Sequence, residues 1–166
     1  MHFSRFVAIA AVLVSARAAA QAPATIDLVG PSGQRRTLST ADVAKMPRHE
    51  VKAAAHAVSG TFSGVSLADV LPLIGAPVGD SLRGPALASY VLVEAADGYR
   101  VTFTLAEFNA GFTDRRILLV DRKDGAALAA KDGPFQLIVP DEKRPARWVR
   151  QVQRISVVFL PAPKHP

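Results

Sequence analysis

The sequence predicts an α+β fold in which short β strands outnumber short helices, and three observations support this. Many short segments are apolar throughout or alternate between apolar and polar residues, as strands do. Glycine, proline and an Asp-Gly pair separate these segments at short intervals. A few segments begin with a helix-capping residue followed by a short helical pattern. This mixture is typical of an α+β domain.

The N-terminal half is predicted to hold extended segments and two short helices. Ser39 or Thr40 caps a first helix, and Ser66 caps a second helix over residues 67–74. Gly75 is the predicted C-cap of that second helix. The extended segments span residues 25–29, 35–38, 50–58 and 61–65.

The C-terminal half is predicted to consist mainly of strands. Residues 76–88 contain several glycines and prolines and are expected to form a loop. Asp97-Gly98 is the strongest hairpin signal in the chain, and a polar turn is expected over residues 121–125. The predicted strands span residues 90–95, 99–105, 117–120, 135–139 and 155–160.

Residues 1–20 are predicted to be a secretory signal peptide. Arg5 precedes an unbroken apolar run over residues 6–14, and small residues follow with possible cleavage after Ala18, Ala20 or Ala22. An uncleaved anchor is the alternative, but the run is shorter than the roughly 20 residues of a membrane span. We therefore expect a periplasmic protein with one domain over residues 25–160.

Composition excludes several kinds of chemistry. The chain has no cysteine, so a thiolate metal ligand, a thiol nucleophile and a disulfide are all excluded. Lysine and arginine number 20 against 14 acidic residues, which gives a formal net charge of +6. This basic excess suits an anionic small molecule, a membrane surface or an acidic partner, and nucleic acid is not expected for an exported chain.

Familiar catalytic and metal-binding motifs are missing. His49 and His56 do not have the H-E-x-x-H spacing of a zinc site. The segment from Gly60 to Gly64 (GTFSG) places serine at its fourth position, whereas the nucleophile of G-x-S-x-G stands at the third. The chain also has no P-loop and no G-x-G-x-x-G sequence. We predict neither a catalytic residue nor a metal ligand.

A series of short motifs in a fixed order is more distinctive. Gly64-Val65-Ser66-Leu67 opens the second helix, and Asp97-Gly98-Tyr99 follows in the hairpin. The later motifs are Asp124-Gly125 with Leu128, Asp132-Gly133-Pro134, residues 137–140 (LIVP), Ala146-Arg147, Val149-Arg150 and residues 155–157 (ISV). In order and spacing these motifs resemble the molybdopterin-binding domain of the sulfite oxidase family. The resemblance covers most of the mature chain, from about residue 51 to residue 158.

The missing cysteine sets this chain apart from the enzymes of that family. The resemblance implies a cysteine ligand of molybdenum near residues 56–60, and none is present. The chain is more similar to a cysteine-lacking branch of short periplasmic proteins that resemble pterin-binding regulators. That likeness implies a metal-free pterin ligand, with molybdenum not expected, and a partner in the periplasmic domain of a membrane-bound cyclic-di-GMP enzyme.

Three residues are candidates for contacting the pterin ring. Trp148 offers a flat surface for stacking, with a packing role as the alternative. Asp121, at the end of a predicted strand, offers a carboxylate to the N–H donors of the pyrimidinone edge, and a turn-capping role is its alternative. Tyr99 follows the hairpin turn and is a further candidate contact.

Basic residues are candidates for the polar part of the ligand. The resemblance places Arg147 and Arg150 against the cofactor, and Arg144 lies in the same segment. His56 lies near the position of the missing metal ligand and is predicted to point into the site. The alternatives are surface charges for the arginines and a packing role for the histidine.

These observations predict non-catalytic binding of a pterin, with ligand binding ordering residues 144–150 and changing the affinity for a signalling partner. Two other functions stay open. One is a molybdopterin-dependent oxidoreductase that holds its cofactor without a thiolate. The other is a structural interaction module with no ligand.

Overall fold

A computed structural model of the protein describes residues 24–55 and 58–160, which form ten strands and two short α-helices. The predicted signal peptide lies outside the described residues. The helices are α1 (Thr40–Val43) and α2 (Leu67–Val70). The strands are β1 (Thr25–Val29), β2 (Arg35–Ser39), β3 (His49–Ala55), β4 (Val58–Ser66), β5 (Tyr90–Ala95), β6 (Arg100–Thr104), β7 (Leu118–Lys123), β8 (Ala126–Ala127), β9 (Gln136–Ile138) and β10 (Val152–Val158).

The first sheet has five strands in the order β2-β1-β10-β5-β6. The last strand of the described residues, β10, lies at its centre, parallel to β1 and antiparallel to β5. The hairpin of β5 and β6 turns at Gly98, whose φ of 83° favours glycine. This confirms the hairpin predicted from Asp97-Gly98.

The second sheet is built around β4 and β7, which pair with each other in antiparallel fashion. Strand β3 pairs with the outer side of β4, and β8 and β9 both pair with β7. The register slips by one residue where Ser63 pairs with Arg122 and Gly64 pairs with Val120. Asp121 is the extra residue of this β-bulge.

The short helices begin at capping residues. Ser39 caps α1 through a reciprocal pair of contacts with Asp42. Ser66 caps α2, which continues as a 3-10 turn to Ile74 and ends at Gly75 with a φ of 76°. The caps and Gly75 are as predicted, whereas the second half of the predicted helix is a 3-10 turn that contains a proline. No helix among the described residues is long and apolar enough to cross a membrane.

One cluster of buried hydrophobic side chains includes residues of both sheets. Leu28, Val93 and Ile155 come from the first sheet, and Phe62 and Leu119 come from the second. The shared core joins the two sheets into one domain, so the α+β fold predicted from the sequence is confirmed.

Several segments differ from the predicted bounds; β4 begins at Val58 and β10 spans Val152–Val158, whereas strands were expected over residues 61–65 and 155–160. Residues 76–88, predicted as a loop, contain two 3-10 turns, Gly79–Ser81 and Gly84–Ala88. Strand β7 continues to Lys123, beyond the predicted end at residue 120, because Arg122 and Lys123 also pair with β8. The longer strand brings Lys123 to the candidate site.

Candidate functional site

A cavity of about 450 Å³ opens between the two sheets' loops and the segment that precedes β10. We call it the tryptophan cavity, after Trp148. Its size falls within the range of about 300–1,000 Å³ that is usual for small-molecule sites. It is lined by Val58, Phe62, Ala95, Asp97, Tyr99, Lys123, Lys131, Asp132, Gln136, Pro145, Ala146, Trp148 and Arg150.

Two aromatic rings form the apolar wall of the tryptophan cavity. Trp148 meets Phe62 edge to face, with ring centroids 5.6 Å apart and planes at 79°. Its indole Nε1 donates a 2.8 Å hydrogen bond to the carbonyl of Val139, and the side chain is 6 % exposed. The ring is therefore held in one orientation while it lines the cavity.

Tyr99 crosses from the β5–β6 hairpin to the segment that carries Trp148. Its hydroxyl donates a 2.6 Å hydrogen bond to the carbonyl of Ala146, and its backbone N–H donates to Asp97. Ala146 belongs to a short 3-10 turn, Pro145–Arg147. This contact fixes the distance between two walls of the cavity.

Gln151 holds two further cavity segments together. Its backbone adopts a φ of 48°, which is uncommon for a residue with a side chain. Its backbone N–H donates to the carbonyl of Asp132, and its side-chain Nε2 donates to the carbonyl of Ala130. Its own carbonyl accepts from the N–H of Ala96 beside the hairpin turn. Gln151 thus positions the loop that carries Lys131 without lining the cavity itself.

Charged groups give the tryptophan cavity a slight positive excess. Three of its lining residues are cationic (Lys123, Lys131 and Arg150) and two are anionic (Asp97 and Asp132). Arg150 lies 4.0 Å from Asp132, and the ammonium of Lys123 lies 5.6 Å from the centre of the Phe62 ring. An anionic group on a ligand would find cations at this site.

The two lysines were not among the predicted site residues. The sequence predicts a polar turn at Lys123, because the predicted strand ends at residue 120. Lys131 lies in a loop whose charges look like ordinary surface charges. Only the pairing of β7 with β8 and the contacts of Gln151 bring these lysines to the cavity, and neither is visible in the sequence.

Gln136 is a buried polar side chain that the sequence also failed to single out. It begins β9, pairs with Val120 across the sheet, and is 7 % exposed. Its side chain lines the tryptophan cavity and makes no hydrogen bond to any other described residue. Its position in the apolar sequence FQLIV was the available signal.

Arg147, predicted to contact the ligand, lies outside the tryptophan cavity. Its guanidinium forms ion pairs with Glu142 and Glu107 and lies over the Phe103 ring, 4.6 Å from its centre. Burial alone would lower the pKa of Arg147, but the hydrogen bonds to Glu142 and Glu107, together with their charges, outweigh burial and raise it. Arg147 anchors the back of the segment whose other side faces the cavity.

Asp121 also lies outside the tryptophan cavity. Both of its carboxylate oxygens accept hydrogen bonds from Arg48, which also donates to Ser63. The β-bulge explains this placement, because the extra residue breaks the alternation of side chains along β7. The carboxylate expected to face a pyrimidinone edge is instead part of a surface ion pair.

The remaining predicted residues fall into three groups. Trp148, Tyr99 and Arg150 line the tryptophan cavity, so the structure brings them together. Arg144 is exposed and does not line it. His56 lies outside the described residues. Ligand contact by each of the predicted residues stays a prediction.

The fold and the cavity can be compared with known proteins. The family model described as the oxidoreductase molybdopterin binding domain matches residues 18–165 of the chain. The chain belongs to this family. The molybdopterin-binding domain predicted from the order of its motifs is thereby confirmed, and with it the sulfite-oxidase-like fold.

A solved structure supports the same fold for this molybdopterin-binding domain. The sulfane dehydrogenase SoxCD from Paracoccus pantotrophus matches with a TM-score of 0.64 and 18 % sequence identity. The match covers 81 % of this chain and 38 % of the SoxCD chain, so the domain spans well under half the length of that enzyme chain. At 18 % sequence identity, the likeness to SoxCD shows a shared fold and nothing beyond it. No curated protein matches the sequence.

The residues of the tryptophan cavity fit the organic part of a molybdopterin. An aromatic wall, the amide of Gln136, which has no partner among the described residues, and nearby cations suit the ring face, the ring edge and the anionic tail of a pterin. The chain offers no cysteine thiolate for a metal. Residues 24–55 and 58–160 contain no group of three or more His, Asp or Glu side chains arranged to hold a metal ion.

Proposed function

We propose that this molybdopterin-binding domain binds a pterin in the tryptophan cavity and carries out no molybdenum chemistry there. The observation that supports the proposal is the tryptophan cavity itself, with its aromatic wall, its Gln136 amide and its cations. The absence of any cysteine from the chain supports the metal-free part of the proposal. The proposed location is the periplasm, after removal of residues 1–20.

Different residues in and around the cavity have different proposed roles in binding. The Trp148 ring contacts the bicyclic ring of the pterin, and Phe62, which is 1 % exposed, packs against the indole and helps to exclude water. Lys123, Lys131 and Arg150 attract a phosphate or another anionic tail. Tyr99 and Gln151 hold the walls in place through hydrogen bonds to Ala146, Ala130 and Asp132.

We further propose that ligand binding is reported to a periplasmic partner through residues 144–150. One side of this segment lines the cavity with Pro145, Ala146 and Trp148. The other side carries Arg147, which is paired with Glu107 and Glu142 away from the cavity. When ligand binding moves the cavity side of this segment, the movement is passed to Arg147 on the opposite surface through a few residues. The proposed partner is a membrane-bound cyclic-di-GMP enzyme.

Calorimetry with oxidised and reduced pterins tests the binding proposal. The protein is purified from the cells that make it, and any ligand it carries is released and dialysed away before the titration, so that an occupied site cannot be mistaken for a lack of binding. The variant Lys123→Met removes a cavity cation, and Lys45→Met removes an exposed lysine that lies outside the cavity. We expect Lys123→Met to weaken binding of a phosphorylated pterin about fivefold or more, and Lys45→Met to leave it unchanged.

Two results would overturn the proposal. The first is the absence of binding heat with every pterin. The second is one molybdenum per chain in the purified protein, measured by elemental analysis, which would establish a molybdopterin-dependent oxidoreductase instead.

A further inference from the structure

Gln136 stands out among the polar side chains of the tryptophan cavity. It is 7 % exposed, lines the cavity, and forms no side-chain hydrogen bond with another described residue. Gln136 is not among the residues whose polar atoms are fully buried without a partner, so its amide is accessible from the cavity and available to a ligand.

The neighbouring polar groups already have partners within the protein. The Tyr99 hydroxyl is bound to Ala146, and the Trp148 indole N–H is bound to Val139. Asp97 accepts from the Tyr99 N–H, and Asp132 faces Arg150. Gln136 differs from these groups in offering both a donor and an acceptor that no described residue uses, because the Tyr99 and Trp148 donors are already bound and the two carboxylates offer acceptors alone.

The chemistry of the side chain limits what it can recognise. A glutamine amide holds one carbonyl acceptor and one NH₂ donor side by side in a plane. A cyclic amide, or lactam, presents the complementary pair, a ring N–H beside a carbonyl. A pterin has this pair at N3 and C4.

We propose that Gln136 recognises the lactam edge of the ligand through two parallel hydrogen bonds. This inference rests on the proposed function and names the ring edge that the cavity selects. Gln136 then takes the place of Asp121, whose carboxylate is occupied by Arg48. The ligands selected are heterocycles with a neutral N–H and carbonyl pair, of which 4-oxopteridines are one class.

Calorimetry with pterin and 3-methylpterin tests this assignment. The methyl group replaces the N3 hydrogen and leaves the rest of the ring unchanged. We expect the wild-type protein to bind pterin about tenfold or more tightly than 3-methylpterin. In Gln136→Met, which keeps the length of the side chain, the two affinities should agree within about threefold. Gln153→Met, which changes an exposed glutamine on β10, should keep the wild-type preference.

Thermal unfolding without ligand separates recognition from a structural role. Because no internal hydrogen bond of Gln136 is lost, Gln136→Met should unfold at or above the wild-type Tm. A clear fall in Tm would assign Gln136 to the fold and overturn the inference. Retention of the tenfold preference in Gln136→Met would also overturn it, while leaving pterin binding intact. Absence of heat with both compounds in the wild-type protein would overturn the proposed function, and this inference with it.

Discussion

The hydroxyl of Tyr99 and the backbone carbonyl of Ala146 are joined by a 2.6 Å hydrogen bond across the mouth of the tryptophan cavity. The contact links the β5–β6 hairpin to the turn that precedes Trp148. Both residues are exposed, so the bond contributes little to stability and more to the shape of the cavity.

Replacing Tyr99 by phenylalanine removes this bond and keeps the ring. We expect the free energy of unfolding to change by less than about 1 kcal/mol. Pterin affinity should fall several-fold, because Ala146 and the residues beside it are then less firmly positioned. Calorimetry and denaturant unfolding measure the two effects. Tyr90→Phe, a matched change on β5, should alter neither, and equal pterin affinity in Tyr99→Phe and wild type would contradict the assigned role.

Replacing Arg147 by methionine leaves Glu107 and Glu142 without their main partner. These carboxylates are 28 % and 15 % exposed, so the loss should lie between that of a surface pair and that of a buried pair, at about 1–3 kcal/mol. Urea unfolding measures it. The exposed Arg144, changed to methionine, removes the same charge and should cost less than about 0.5 kcal/mol. Similar losses for the two variants would mean that net charge, and not the ion pairs, sets the stability.

Replacing Gly64 by alanine should be among the most damaging single changes in the chain. A Cβ atom at this position would lie 2.1 Å from the Leu119 carbonyl oxygen and 2.5 Å from the Val120 Cα. Strand β4 approaches β7 too closely for any side chain, so the loss should be about 3 kcal/mol or more. At Gly111 a Cβ would meet nothing closer than 3.4 Å. Gly111→Ala should unfold within a few degrees of wild type, and a stable Gly64→Ala would refute the close contact.

Replacing Ser89 by alanine should stabilise the protein or leave it unchanged. The hydroxyl of Ser89 is buried and has no hydrogen-bond partner among the described residues. Its removal therefore relieves a desolvation cost of about 1 kcal/mol without breaking a bond. Differential scanning calorimetry measures the change in Tm. A marked fall would reveal a partner for this hydroxyl.

Replacing Asp42 by asparagine should flatten the dependence of stability on acid pH. Hydrogen bonds from the Ser39 hydroxyl and backbone N–H hold the pKa of Asp42 below its ordinary value of 3.8. The stabilisation that this provides is present above pH 3.8 and is lost as the pH falls through the lower folded-state pKa. We expect the wild-type Tm to decrease more than the variant Tm between pH 5 and about pH 2. Parallel curves would show that Asp42 contributes nothing to this dependence.

The sequence predicted the fold because its signals are local. Ser39, Ser66 and Gly75 begin or end helical segments where expected, and Gly98 turns the predicted hairpin. The motif containing Gly64 was found from its order in the chain, and the structure supplies its physical reason in the close approach to Leu119.

The candidate site was less predictable because its side chains depend on distant partners. Arg147 binds Glu107, which lies 40 residues away in the chain, and Asp121 binds Arg48 across 73 residues. The bulge in β7 turns Asp121 away from the direction that simple alternation predicts. Gln136 and Lys123 reach the cavity through strand pairing alone.

The central position of β10 sets the order in which this domain can be assembled. Strand β10 comes from the end of the chain, yet β1 from its beginning and β5 from its middle both pair with it. Until residues 152–158 are available for pairing, β1 and β5 lack the neighbour that joins them, and their apolar faces stay incompletely covered. Completion of the first sheet is thus a late, long-range event, of the kind that slows folding. The first sheet of this domain therefore stays incomplete, and its apolar faces stay open to aggregation, until β10 has joined it.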